Sequence, residues 1–111
     1  MNKIAEPIEP AKPVHLADRV QYADGSIVSR ALVQKPVGSI TLFAFDAGQG
    51  LNEHTAPYDA YVQILDGEAE LVIGGQIVNS KTGETVLMPA NVPHAVNARQ
   101  RFKMLLTMIR G

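Results

Sequence analysis

Residues 48–98 read GQGLNEHTAPYDAYVQILDGEAELVIGGQIVNSKTGETVLMPANVPHAVNA. Gly48 is followed after five residues by His54, then by Ala56, after three more by Ala60, and after six more by Gly67. Gly83 is followed after five residues by Pro89, then by Asn91, and after two more by His94. Between these two runs lie the fifteen residues Glu68–Thr82. Asp66-Gly67 divides YVQIL from EAELVI, Gly74-Gly75 divides EAELVI from QIVN as a two-residue hairpin loop, and Lys81-Thr82-Gly83, Pro89 and Pro93 break up the rest.

Outward from this stretch the punctuation continues. Asp24-Gly25 separates VQYA from SIVSRALVQ, Pro36 and Gly38 separate that run from SITLFAF, and RFKMLLTMI closes the chain. Turns about every ten residues, with no long run of helical period, predict an all-β sandwich or barrel. Residues 15–20, HLADRV, have room for one helical turn. Pro7, Pro10 and Pro13 block helix and central strand, so residues 1–13 read as an extended N-terminal arm and 14–111 as a single domain.

Side chains i and i+2 share one side of a strand. Ala69, Leu71 and Ile73 therefore oppose Glu68 and Glu70, a half-solvated pattern. In ITLFAFD, Phe43 and Phe45 take one face while Leu42 and Ala44 take the other, and the closing run is similarly apolar on both sides. Strands apolar on both faces need a second cover, and a homodimer is the expected one.

Composition narrows the function classes. The 111 residues carry 10 Lys and Arg against 11 Asp and Glu, with no basic stripe, so nucleic acid is not an expected partner. Without cysteine, thiolate metal sites, disulfides and cysteine nucleophiles are excluded, and any metal must sit on His, carboxylate or backbone oxygen. The first twenty residues hold no apolar run long enough for a signal core or a membrane span, which favours a cytoplasmic protein without a membrane partner. Phosphate-loop, dinucleotide and serine-elbow patterns are missing.

The two spaced runs resemble the two motifs of the cupin superfamily. The first family motif is Gly, five residues, His-x-His, three or four residues, Glu, six residues, Gly. The second is Gly, five residues, Pro-x-Gly, two residues, His, three residues, Asn. The resemblance implies a small single-domain cupin: a double-stranded β-helix, or jelly-roll, barrel of RmlC-like type. It also implies a metal held by three histidines and a glutamate. Here His54 and His94 stand in two of those four slots, Ala56 in the second histidine slot and Ala60 in the glutamate slot. Asn91 replaces the glycine of the second motif, a residue that also visits left-handed backbone. Ala98 fills the last Asn slot, with Asn97 one position early.

Two imidazoles are fewer than the three protein ligands of a usual catalytic zinc or iron centre. Glu53 and Asp59 are the nearby carboxylates, yet alternation turns Glu53 away and Asp59 is one position off, so either needs a bulge to reach. Three readings stay open. The barrel binds a small organic ligand or a divalent metal (Zn, Fe, Mn or Ni) through His54 and His94. Or it is a metal-dependent dioxygenase, isomerase or lyase with a nonstandard ligand set, as the cupin resemblance implies. Or it is a sensing or dimerisation module acting beside other proteins.

The expected ligand-binding residues are His54, His94, Phe43, Phe45, Ala56, Tyr58, Ala60, Val62 and Met88, with Ile64 and part of the last strand completing the barrel lining. Tyr58 sits at the expected barrel mouth; Met88, Met104 and Met108 are candidates for a soft wall; His15 is expected at the surface.

Overall fold

The computed structural model describes residues 8–110. The expected arm therefore falls partly outside the described residues. Residues 8–13 pair with no strand and turn at Pro10-Ala11, where Ala11 adopts φ 65°. A single 3₁₀ turn follows at Leu16–Arg19, opened by exposed His15, whose carbonyl accepts from the Asp18 amide at 3.0 Å.

Eight antiparallel strands follow: β1 Ile27–Lys35, β2 Gly38–Phe45, β3 Gly50–His54, β4 Ala60–Ile73, β5 Gln76–Lys81, β6 Thr85–Met88, β7 His94–Asn97 and β8 Phe102–Ile109. The path runs β1-β2-β8-β4-β7-β3, with β5 and β6 also paired to β4. The all-β expectation holds: the sheet curls into a jelly-roll barrel. Among the described residues no helix is long and apolar enough to cross a membrane.

Two expected boundaries change. Asp66-Gly67 does not separate two strands; β4 runs through it for 14 residues. Residues 60–67 pair with β8 and residues 68–73 with β5, so the two flanks serve different sheets and never pair with each other. The chain bends here instead of reversing. A register shift between Ile64 and Asp66 marks a bulge, and Gly67 supplies φ 77° at a place where any Cβ would collide with the Arg101 carbonyl oxygen. Gly74-Gly75, by contrast, is the expected hairpin turn, closing Ile73 onto Gln76 with both glycines at positive φ.

The second change concerns VQYA, which joins no ladder. Val20 is fully buried, clustered with Leu42 and Ala44 of β2 and flanked by Leu16, Tyr22 and Leu105. The segment lies over the outer face of the sheet, not along its edge, so its backbone has no strand to pair with. The two-sided apolar pattern of β2 thus has an intramolecular cover at Leu42 and Ala44. Polar contacts pin that cover: the Tyr22 hydroxyl donates to Asp66, Lys103 Nζ donates to the Ala17 carbonyl, and Arg30 Nη1 donates to the Arg19 carbonyl at 2.9 Å. Burial, reinforced by the Asp66 carboxylate, pushes the Tyr22 hydroxyl well above the usual phenol range, so it remains a donor.

Inside, the barrel divides along its length. One end is solid: Phe45 and Phe102 stack at 4.6 Å between centroids and pack with Val62, Ile64 and Leu71 in one apolar cluster. Truncating a phenylalanine in such a packed core costs about 3–5 kcal/mol. The other end is hollow.

Candidate functional site

The hollow end is a cavity of about 280 Å³, lined by Phe43, Leu51, His54, Ala56, Ala60, Met88, His94, Val96, Met104, Leu106 and Met108. Its walls follow from strand alternation. Met104, Leu106 and Met108 are the inward residues of β8, and Ala60 sits between Met88 of β6 and Met108 of β8.

β3 breaks the alternation, and the break makes the site. Leu51 pairs with Val96, and the next pair is His54 with His94, three residues on along β3 but two back along β7. The extra residue is a β-bulge at Asn52-Glu53. It brings Leu51 and His54 to the same cavity, although simple alternation would put them on opposite faces. Glu53 stays exposed and outside the cavity lining.

The His54 and His94 rings lie edge to face, with centroids 4.4 Å apart. His94 is 5% exposed, whereas His54 is exposed at the rim. Each Nδ1 meets the backbone carbonyl two residues earlier, His54 with Asn52 at 2.8 Å and His94 with Val92 at 3.2 Å. A carbonyl only accepts, so each of these hydrogen bonds assigns a proton to Nδ1, and the tautomer it selects is the one that leaves the lone pair on Nε2. This is also how proteins orient a ligating histidine.

The rest of the proposed metal set does not assemble. Ala56 and Ala60 line the cavity but offer only methyl groups. The Asp59 carboxylate is engaged elsewhere, with Oδ1 accepting from the Ala90 amide at 2.9 Å. Among the described residues no group of three or more His, Cys, Asp or Glu is placed to hold a metal. These side chains do not fit a three-histidine, one-carboxylate centre.

The turn beneath the site depends on Asn91, whose φ of 63° is the left-handed backbone expected in the glycine slot. Its amide donates to the Ala56 carbonyl at 2.7 Å, tying the β6–β7 turn to the loop after β3. Gly74 donates to the Pro93 carbonyl at 2.8 Å and steadies the approach to His94.

Six of the nine expected ligand-binding residues meet at the cavity: His54, His94, Phe43, Ala56, Ala60 and Met88. Phe45 and Val62, like Ile64, instead fill the solid end, because their inward positions lie deeper along β2 and β4. Tyr58 lies outside the barrel, in a groove with Tyr61 and Ile109, under the Arg110 guanidinium at 5.1 Å. A short side chain at position 60 leaves the space that Met88 and Met108 border. Leu51 and Val96 were not anticipated. Val96 follows from simple alternation with His94; Leu51 depends on the bulge, which has no composition signal.

The cupin domain family matches residues 41–109, and the chain belongs to that family. It is similar over its whole length to a conserved protein of unknown function from Streptococcus pyogenes, with 39% identity, 96% of that chain covered and a TM-score of 0.90. A cupin superfamily protein from Desulfitobacterium hafniense is 27% identical over 96% of this chain and 97% of its own, with a TM-score of 0.89. A cupin 2 conserved barrel domain protein from Leptotrichia buccalis is 43% identical over 85% of this chain, which spans only 46% of that longer one, with a TM-score of 0.82. The barrel is of the RmlC-like kind. No functionally curated protein matches the chain.

Proposed function

We propose that this protein binds a small organic molecule inside its barrel, with His54 and His94 as the polar contacts. The observation that carries this reading is the meeting of two histidines, from different strands, on the wall of an otherwise apolar cavity of about 280 Å³. Apolar walls with a few placed polar groups are the usual make-up of a small-molecule site. A ligand that binds only the folded state raises the melting temperature. A thermal-shift screen of small aromatic and aliphatic compounds should therefore give hits that His94→Ala and His54→Ala weaken. Polar-headed hits unaffected by both substitutions would remove the two histidines as the polar contacts.

The divalent-metal reading, and with it the dioxygenase, isomerase or lyase alternative, draws on the same two nitrogens and needs a third protein ligand that the cavity lining does not supply. Metal analysis of protein purified without an affinity tag tests it. Stoichiometric metal, lost in His54→Ala and His94→Ala, would restore that reading.

We also propose a homodimer. Cross-strand register aligns Val33, Ile40, Thr107, Tyr61 and Leu87 in one row on the outer sheet face, beyond the reach of the Leu16–Tyr22 cover. Val37 and Ile109 continue it, 67% and 58% exposed. A second copy burying this row is the occupant that fits. Light scattering at micromolar concentration should give twice the 12.0 kDa chain mass; a monomer mass would end the proposal.

A further inference from the structure

Resting on the barrel-binding reading, we infer that the cavity selects an uncharged ligand that donates a hydrogen bond, an alcohol or phenol on an apolar body, against carboxylates and against plain hydrocarbons. The argument is one of hydrogen-bond polarity. Asn52 and Val92 hold the two Nδ1 protons with their carbonyls, so what His54 and His94 have left for the cavity is a pair of Nε2 lone pairs. Every other side chain of the lining is hydrocarbon, thioether or phenyl. The pocket thus offers two acceptors and no side-chain N–H or O–H donor.

A carboxylate or ketone head brings more lone pairs to such a site and leaves groups on both sides unpartnered. A hydrocarbon fills the apolar volume but leaves both nitrogens dry. An ammonium has donors to spare, but it would lose its hydration against Phe43 and the methionines for only two neutral acceptors. A hydroxyl meets one lone pair and fits beside the other. Size agrees: a cavity of roughly 150 Å³ takes benzene, and about 280 Å³ accommodates one substituted ring.

The same local device recurs in both histidines. The ring bonds the carbonyl two residues before it, on β3 through the bulge and on β7 just after Pro93. Two independent backbone segments therefore enforce one tautomer. A pair of histidines serving only as packing has no need of matching orientation.

The test is a ligand series of nearly constant shape on the full chain: benzyl alcohol and p-cresol against toluene and benzoate, with affinities from calorimetry or ligand-observed NMR. The two hydroxyl compounds should bind about five- to tenfold more tightly than toluene, the value of one hydrogen bond that avoids leaving an acceptor unpaired. Benzoate should bind more weakly than either. In His94→Leu and His54→Leu the preference for p-cresol over toluene should shrink toward unity, while toluene keeps or gains affinity. Nitrogen-15 correlation spectra of the imidazoles, which need no ligand or variant, should show Nδ1 protonated in both rings. Toluene equal to p-cresol, benzoate tightest, or Nε2 protonated in the free protein would each overturn the head-group inference while leaving the barrel as a binding site. Failure of all four compounds to bind would overturn the barrel-binding reading with it.

Discussion

Leu51 and His54 lie on one strand, three residues apart, and face the same cavity because β3 carries a bulge between them. A bulge shifts the face of every residue beyond it, so this one decides where His54 points. Deleting Glu53 removes the extra residue and leaves His54 two positions after Leu51, so regular alternation alone should hold it toward the cavity. The nuclear Overhauser contacts between the His54 and His94 rings, centroids 4.4 Å apart, should then persist together with those between Leu51 and Val96. Loss of the ring-to-ring contacts would show that β3 slides in register instead, or that the bulge itself positions the His54 ring.

Ala56 and Ala60 mark the two positions where the family's ligands are missing, and both line the cavity. The double variant Ala56→His with Ala60→Glu should convert an apolar pocket into a metal centre with His54 and His94. Nickel or zinc at a hundredfold excess over its dissociation constant should stabilise that variant by about 2.7 kcal/mol and leave the parent nearly unchanged. An unresponsive double variant would mean that these two side chains do not converge with the histidines.

Asp46 gathers the end of β2 to two distant segments. Its carboxylate accepts from Arg101 Nε at 2.7 Å and from the Gly25 and Ala47 amides at 2.6 and 2.9 Å. The Arg101 hydrogen bond and then that of Gly25 lower its pKa from 3.8 to about 2. A depressed carboxylate contributes stability that is present above the unfolded value and disappears as pH falls through the folded one. The melting-temperature gap between the parent and Asp46→Asn should therefore be constant above about pH 5 and close between pH 4 and pH 2. A gap independent of pH would assign the effect of the substitution to lost hydrogen bonds alone.

Gly67 and Gly75 both hold positive φ, at 77° and 83°, but only Gly67 has backbone pressed against it. Gly75→Ala should cost about 1 kcal/mol in urea unfolding, the strain of a left-handed alanine. Gly67→Ala adds the collision with the Arg101 carbonyl and should cost at least about 3 kcal/mol. Equal costs would mean that β4 and β8 part easily at the bend.

Much of the architecture was legible in turn chemistry. Gly74-Gly75, Pro36 and the glycines near residue 50 each sit where a chain reversal or strand start occurs. Asp66-Gly67 misled because a bend within a long strand and a turn between two strands call for the same left-handed glycine. Choosing between them requires knowing which strands pair, and that is a tertiary property. Val20 misled for a related reason: an apolar residue beside polar ones suits a strand and equally suits a segment lying over a sheet. At the site, His54, His94 and the two alanines were legible from spacing. The depth at which packed core gives way to cavity was not, because inward residues of one strand look alike whether they fill or line.

The place of β8 between β2 and β4 has a consequence for the order of assembly. Each neighbour has a local partner elsewhere, β2 in β1 and β4 in β5, but the edge it turns to β8 waits for Phe102–Ile109, which also brings Met104, Leu106 and Met108 to the cavity wall. Pairings of such long sequence separation form late and slowly. The cavity therefore comes into being at barrel closure, and occupancy of the pocket reports that the fold is complete.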